Sequence, residues 1–188
     1  STPSSVEEED ARPWSVSDVR ALDLPLLRIW DSYSGSQPDG QNNSMMARAP
    51  RQRLDTEESR RDSIAHHIVH SNWGGGTPFI SFTVSVAAAK NLAKMRAHRG
   101  TRHLVVVDPQ VRLKAGLPIL DVAAEMSHYS IRDPYEKGYQ YYRDHYVCLW
   151  QAAGDEVVGQ WSWDDHLAKY PNWYQEIVMP AFREFRRK

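Results

Sequence analysis

The stretch from Phe79 to Ala89 constrains this chain most. In Phe79-Ile80-Ser81-Phe82-Thr83 apolar residues alternate with hydroxyls from Ile80 onward. That period of two belongs to a strand with unlike faces. From Val84 to His98 the period changes. Val86, Ala89, Leu92, Ala93 and Met95 recur at helical spacing, and Gly100 stands beyond the end as a C-cap. A strand that feeds straight into an amphipathic helix needs a sheet on which the helix can lie. Ser81 and Thr83 share one strand face, and Ile80 and Phe82 share the other. The ordinary role of Thr83 or Ser85 is to cap the helix. The alternative is a pair of hydroxyls presented to a ligand.

The rest of the chain supplies partners for that strand. Leu26–Trp30 and Leu104–Val107 read as strands, the second ended by Asp108-Pro109. His145–Trp150 and Glu156–Trp161 read as two strands around a turn at residues 152–155. Helices are expected over residues 14–23, 57–70, 84–98 and 117–127. A short helix capped by Asp164-Asp165 and a last one over Trp173–Arg187 follow. Residues 1–13, with Glu7-Glu8-Glu9-Asp10, read as a flexible acidic tail. Residues 14–188 read as a single domain with a long loop at about 32–56. Residues 128–144 read as irregular. Strands and helices without regular alternation make an α+β chain.

Composition excludes several classes. Lys plus Arg is 23 and Asp plus Glu is 24, so bulk charge does not suit a nucleic-acid coat. The basic end, Arg183, Arg186, Arg187 and Lys188, reads as a complement to the helix dipole. No apolar run reaches the roughly 18 residues of a membrane span. A single cysteine, Cys148, excludes an internal disulfide framework and a multi-cysteine zinc site. The start lacks Met, as in a domain excised from a longer protein, and an intracellular location is favoured. Seven Trp and nine Tyr suit an anchored core or a stacking pocket.

Three local patterns carry chemistry. His66 and His70 stand one helical turn apart, a spacing that can grip a metal in a hydrolase. The zinc-protease motif needs Glu after the first His, and His67 stands there instead. These therefore read as ordinary helix histidines, with no metal expected. Trp73-Gly74-Gly75-Gly76 precedes a strand rather than a helix, and reads as a turn. Arg28 interrupts an apolar strand. It either faces solvent or points its planar fork into a cleft, where it would hold phosphate.

The order of these pieces is informative. An Arg lies in the first strand, Leu26-Leu27-Arg28-Ile29-Trp30-Asp31. Much later comes a strand ending in Ser-x-Thr that runs into an Ala-rich helix. This resembles the Arg–Ser–Glu branch of the ADP-ribosyltransferase superfamily. It looks closest to fungal ADP-ribosyltransferase-like domains linked to heterokaryon incompatibility and toxin-like functions. The resemblance covers about residues 24–167.

It implies split antiparallel sheets around a cleft, with flanking helices and NAD as substrate. It implies that Arg28 contacts the NAD phosphates. Ser81, with Thr83, would position the nicotinamide ribose and a catalytic Glu. That Glu would stabilise the oxocarbenium-like ribose as nicotinamide leaves. Trp30, Tyr33 or Trp73 would stack on nicotinamide or wall the cleft.

The acid has two placements. Glu156 is one, although the position two before it is Gly154 where the family often carries Gln or Glu. Aligning His145–Trp150 instead puts Asp144 or His145 in the acid's position, and a histidine cannot be a fixed anion. The implied function is transfer of ADP-ribose to a protein or nucleic-acid acceptor, or to water. The alternative is a catalytically degenerate NAD-binding or protein-interaction domain of the same fold.

Overall fold

Apolar runs buried on both faces make the central strands of the computed structural model, which describes residues 5–14, 22–69, 76–136 and 142–188. In chain order they are Leu26–Trp30 (β1), Met45–Met46 (β2), Phe79–Thr83 (β3) and His103–Val107 (β4). Ile119–Asp121 (β5), His145–Leu149 (β6), Gln151–Ala152 (β7) and Val157–Ser162 (β8) follow. The helices are Ser5–Ala11 (α1), Glu57–His67 (α2), Val86–Met95 (α3), Pro109–Lys114 (α4), Val122–His128 (α5) and Met179–Arg187 (α6). Six strands form an antiparallel sheet in the order β5-β6-β3-β1-β4-β8, and β2 pairs with β7. The architecture is α+β, as the patterning requires.

The large sheet is nearly severed at its centre. β1 pairs with β4 at five positions and β3 with β6 at five, but β1 meets β3 only where Leu27 faces Thr83. Past that single pair the ladder between them stops. The halves β5-β6-β3 and β1-β4-β8 thus open on a cleft between β1 and β3.

Helices cover the sheet in separate patches. Ile64 and Ile68 of the α2 segment pack with Met126 of α5 against Phe79, Val147 and Leu149. Ala89 and Ala93 of α3 pack on Leu27, Ile29, Leu104 and Val106, beside Trp163 and Trp173. Leu26, Ile80, Phe82, Val105 and Cys148 fill the opposite face with Met45 and Ala152 of the small sheet. Caps set the helix starts. Ser85 Oγ accepts from Ala88 N, and Thr83 Oγ1 accepts from Ser85 N. Thr56 and Ser59 form a reciprocal capping box at the start of α2.

Several expectations change. Part of the segment expected as a flexible tail is helical, as α1, and its end is tied down. Arg60 donates to Glu9 and to the Arg12 carbonyl, Arg12 pairs with Glu125, and Trp14 is buried. These ties reach across the chain, so local composition does not reveal them. The helix expected over residues 117–127 is split. Ile119–Asp121 completes the sheet edge, and Asp121 then caps α5. α4, opened by Asp108 as N-cap and Pro109 at the first helical position, is an added helix. The strands around residues 152–155 do not pair with each other: β6 joins β3 and β5, while β8 joins β4. Asp164 binds Arg102 rather than capping a helix. The helix expected over residues 14–23 falls largely outside the described residues.

Candidate functional site

Arg28 sits where the sheet splits. In an unbroken ladder the Ser81 carbonyl would accept from a β1 amide. Here it accepts from Arg28 Nη1 at 3.1 Å. Arg28 Nε is sealed from solvent without a hydrogen-bond partner. No carboxylate among the described residues pairs with this cation. Burial, with the charge of Arg96 nearby, pushes its pKa down to about 10.

Around Arg28 opens a cleft of about 300 Å³, the lower end for ligand pockets. Arg28, Arg48, Arg96 and Arg99 line it, and its described lining contains no Asp or Glu. Two devices hold the outer arginines. Buried Asp31 accepts from Arg96 Nη1 at 2.9 Å and from the Tyr33 amide. Burial works to raise the Asp31 carboxyl, but Arg96 and that amide outweigh it and the net direction is down. Arg48 threads past two glycines. A Cβ on Gly35 would lie 2.0 Å from Arg48 Nε, and one on Gly76 would lie 2.8 Å from Arg48 Cβ.

Ser81 faces the cleft from the middle of β3 and is exposed. Its Oγ lies 2.6 Å from His67 Nε2. His67 Nδ1 lies 2.6 Å from Thr77 Oγ1. α2 brings His67 there in its last turn, held against the ring edge of Phe79. His66 also lines the cleft. In the sequence His67 stands out only as the residue that spoils a metal motif. Its partnership with Ser81 spans a gap in sequence that no spacing rule covers. Among the described residues no three His, Cys, Asp or Glu side chains converge on a metal position.

The other candidates scatter. Thr83 is buried and caps the entry to α3. Tyr33 lines the cleft and is 63% exposed. Trp30 stacks on His103 with ring centroids 4.4 Å apart, outside the cleft lining. Trp73 lies outside the described residues. Glu156 is not at the cleft. It ends a short 3-10 turn before β8, fully buried, with its carboxylate 3.1 Å from Arg112 Nη1 and accepting from Ala153 N at 2.6 Å. Arg112 also donates to the carbonyls of Pro118, Leu149 and Gln151, so this pair clamps chain segments together. Asp144 is exposed with φ of 68°, and its carbonyl accepts from Val84 N. His145 faces Thr83 in the ladder and packs on Tyr142. The structure therefore joins Arg28, Ser81 and Tyr33 and brings neither Glu156, Asp144 nor His145 into the cleft lining.

The model of one protein family, the Domain of unknown function (DUF7587), matches residues 24–166. The chain belongs to this family. No curated protein matches the chain. The DUF7587 match spans every strand of the sheet, from β1 through β8, and so includes Arg28, Arg48, His67, Ser81 and Arg96. α1 and α6 lie outside it. Among the described residues no helix is long and apolar enough to cross a membrane.

Proposed function

We propose that this domain binds NAD or a closely related ADP-ribose-containing nucleotide in the Arg28 cleft, with the pyrophosphate against the arginines. The carrying observation is Arg28 itself: a cation pushed into the fold without a carboxylate, with one nitrogen unpartnered. A cation half-buried in this way, with its Nε sealed from solvent, is costly unless an anion completes it. A phosphate suits the guanidinium fork, and Arg48, Arg96 and Arg99 supply further positive charge to a diphosphate. The sequence resemblance to ADP-ribosyltransferases selects NAD among such anions, and exposed Tyr33 offers a ring for a base.

Binding is favoured over cleavage of the nicotinamide–ribose bond. That reaction needs a fixed carboxylate near Ser81, and His67 occupies the hydrogen-bonding position there. Glu156 would have to abandon the Arg112 pair to take part. Calorimetric titration with NAD, ADP-ribose and nicotinamide tests the proposal, alongside a nicotinamide-release assay. The expected result is binding of NAD and ADP-ribose, no binding of nicotinamide alone and no release. No heat with either nucleotide would overturn the binding reading. Release of nicotinamide would restore the catalytic one.

A further inference from the structure

We infer that Ser81 is a nucleophile activated by His67, and that the cleft carries out phosphoryl transfer from a phosphate monoester to Ser81 and on to water. The inference rests on the cleft holding a phosphate-bearing ligand, as proposed above. It adds a second ligand class, a phosphate monoester bound through the same arginines, and a reaction at its phosphorus.

A hydroxyl nucleophile needs a base, a group that orients the base, and positive charge where the anion develops. All three stand in contact here. Ser81 Oγ is 2.6 Å from His67 Nε2, and His67 Nδ1 is 2.6 Å from Thr77 Oγ1. Thr77 Oγ1 in turn lies 3.5 Å from both the amide and the carbonyl of Phe79. With Nδ1–H donating to Thr77, Nε2 is left to accept from the Ser81 hydroxyl, the arrangement a general base requires. Arg28 is bonded to the carbonyl of Ser81 itself, and both residues line the same cleft, so positive charge stands in the site where the anion develops. Ser81 is also accessible: it is the exposed residue of an otherwise buried strand. A hydroxyl needed only to cap α3 would be Thr83 or Ser85, and both already do that work.

The step balances without a further reactant than water. Ser81 Oγ attacks phosphorus, its proton passes to His67 Nε2, and the ester P–O bond breaks. His67 returns the proton to the departing oxygen. Water then attacks the Ser81 phosphoester with His67 again taking the proton. Inorganic phosphate leaves, and the proton returns to Ser81. The arginines neutralise the equatorial oxygens throughout.

The test uses the full chain and 4-nitrophenyl phosphate. Nitrophenolate release is followed, and acid-quenched protein is searched for a phosphoryl adduct on Ser81 by peptide mass spectrometry. Wild type is expected to turn over and to carry the adduct. Ser81→Ala and His67→Gln are expected to lose turnover by about 100-fold or more. Ser81→Ala removes one exposed oxygen and should leave the unfolding midpoint in place, which separates chemistry from folding. Calorimetry with inorganic phosphate and ADP-ribose runs beside it. If these bind but wild type gives neither product nor adduct, the inference falls and the binding reading stands. If Ser81→Ala turns over like wild type, the nucleophile is misassigned and the inference falls. If neither anion binds and nothing turns over, both readings fall together.

Discussion

Arg28 is held in the fold at a cost. Its pKa, depressed from the ordinary guanidinium range to about 10, corresponds to a penalty on the order of 1–3 kcal/mol once the hydrated tip at the cleft is allowed for. From about pH 10 up to the ordinary guanidinium range the folded chain binds fewer protons than the unfolded chain, so stability rises with pH there. Below that window the penalty is constant. Arg28→Met keeps most of the side-chain volume and removes the charge. It should raise the melting temperature by a few degrees while abolishing nucleotide binding, as calorimetry of the variant beside wild type would read. A lowered melting temperature would mean that the Ser81 contact outweighs the buried charge. Cys148 gives a second residue-scale prediction. Burial pushes its thiol up to about 11, so at neutral pH it stays protonated and enclosed. A thiol reagent should label it only after denaturant unfolds the chain. Rapid labelling of folded protein would contradict that burial.

Among the elements, the clamp at Arg112 and Glu156 joins α4, the end of β6 and the entry to β8. Read as a catalytic acid, Glu156 could lose its charge harmlessly to the fold. Read from its contacts, Glu156→Gln leaves the buried Arg112 guanidinium without its counter-ion. The expected loss is about 3 kcal/mol, seen as a lower urea midpoint with nucleotide binding retained in the native baseline. The segment over residues 32–56, which carries β2, gives a milder test. Gly35→Ala places a methyl group where Arg48 passes, and the flexible side chain should yield rather than the backbone. ADP-ribose affinity should fall about tenfold, an ordinary value for one charge-assisted contact, with stability nearly unchanged. Unaltered affinity would show that Arg48 does not reach the ligand.

For the whole molecule, the separation of charges matters more than their sum. The chain is nearly neutral, at a formal net charge of -1, yet its cleft is lined by four arginines and no described carboxylate. Such a cleft concentrates anions, and the effect is screened by salt. Raising ionic strength from about 0.05 to 0.5 M should weaken ADP-ribose binding several-fold. Insensitivity to salt would argue against binding through phosphate. Saturating ligand should also stabilise the fold, by about 2.7 kcal/mol at one hundred times Kd.

Periodicity alone determined the α+β class, the central strands around Arg28 and Ser81, and the helix that follows β3. Those signals are local: alternation, helical spacing, and hydroxyls at a strand end that either cap or bind. The docking of α1 was not legible, because Arg60 and Glu125 lie far from Glu9 and Arg12 in sequence. The same distance hid the difference between a carboxylate that reacts and one that braces. Glu156 has the residue type of an acid, and only its contact with Arg112 reveals its structural position. His67 had no motif to announce it. It became the partner of Ser81 because α2 ends over a sheet that parts between β1 and β3. Side-chain type and spacing are written along the chain, but the partner of a buried charge or a cleft hydroxyl is chosen across it. That choice is made by packing.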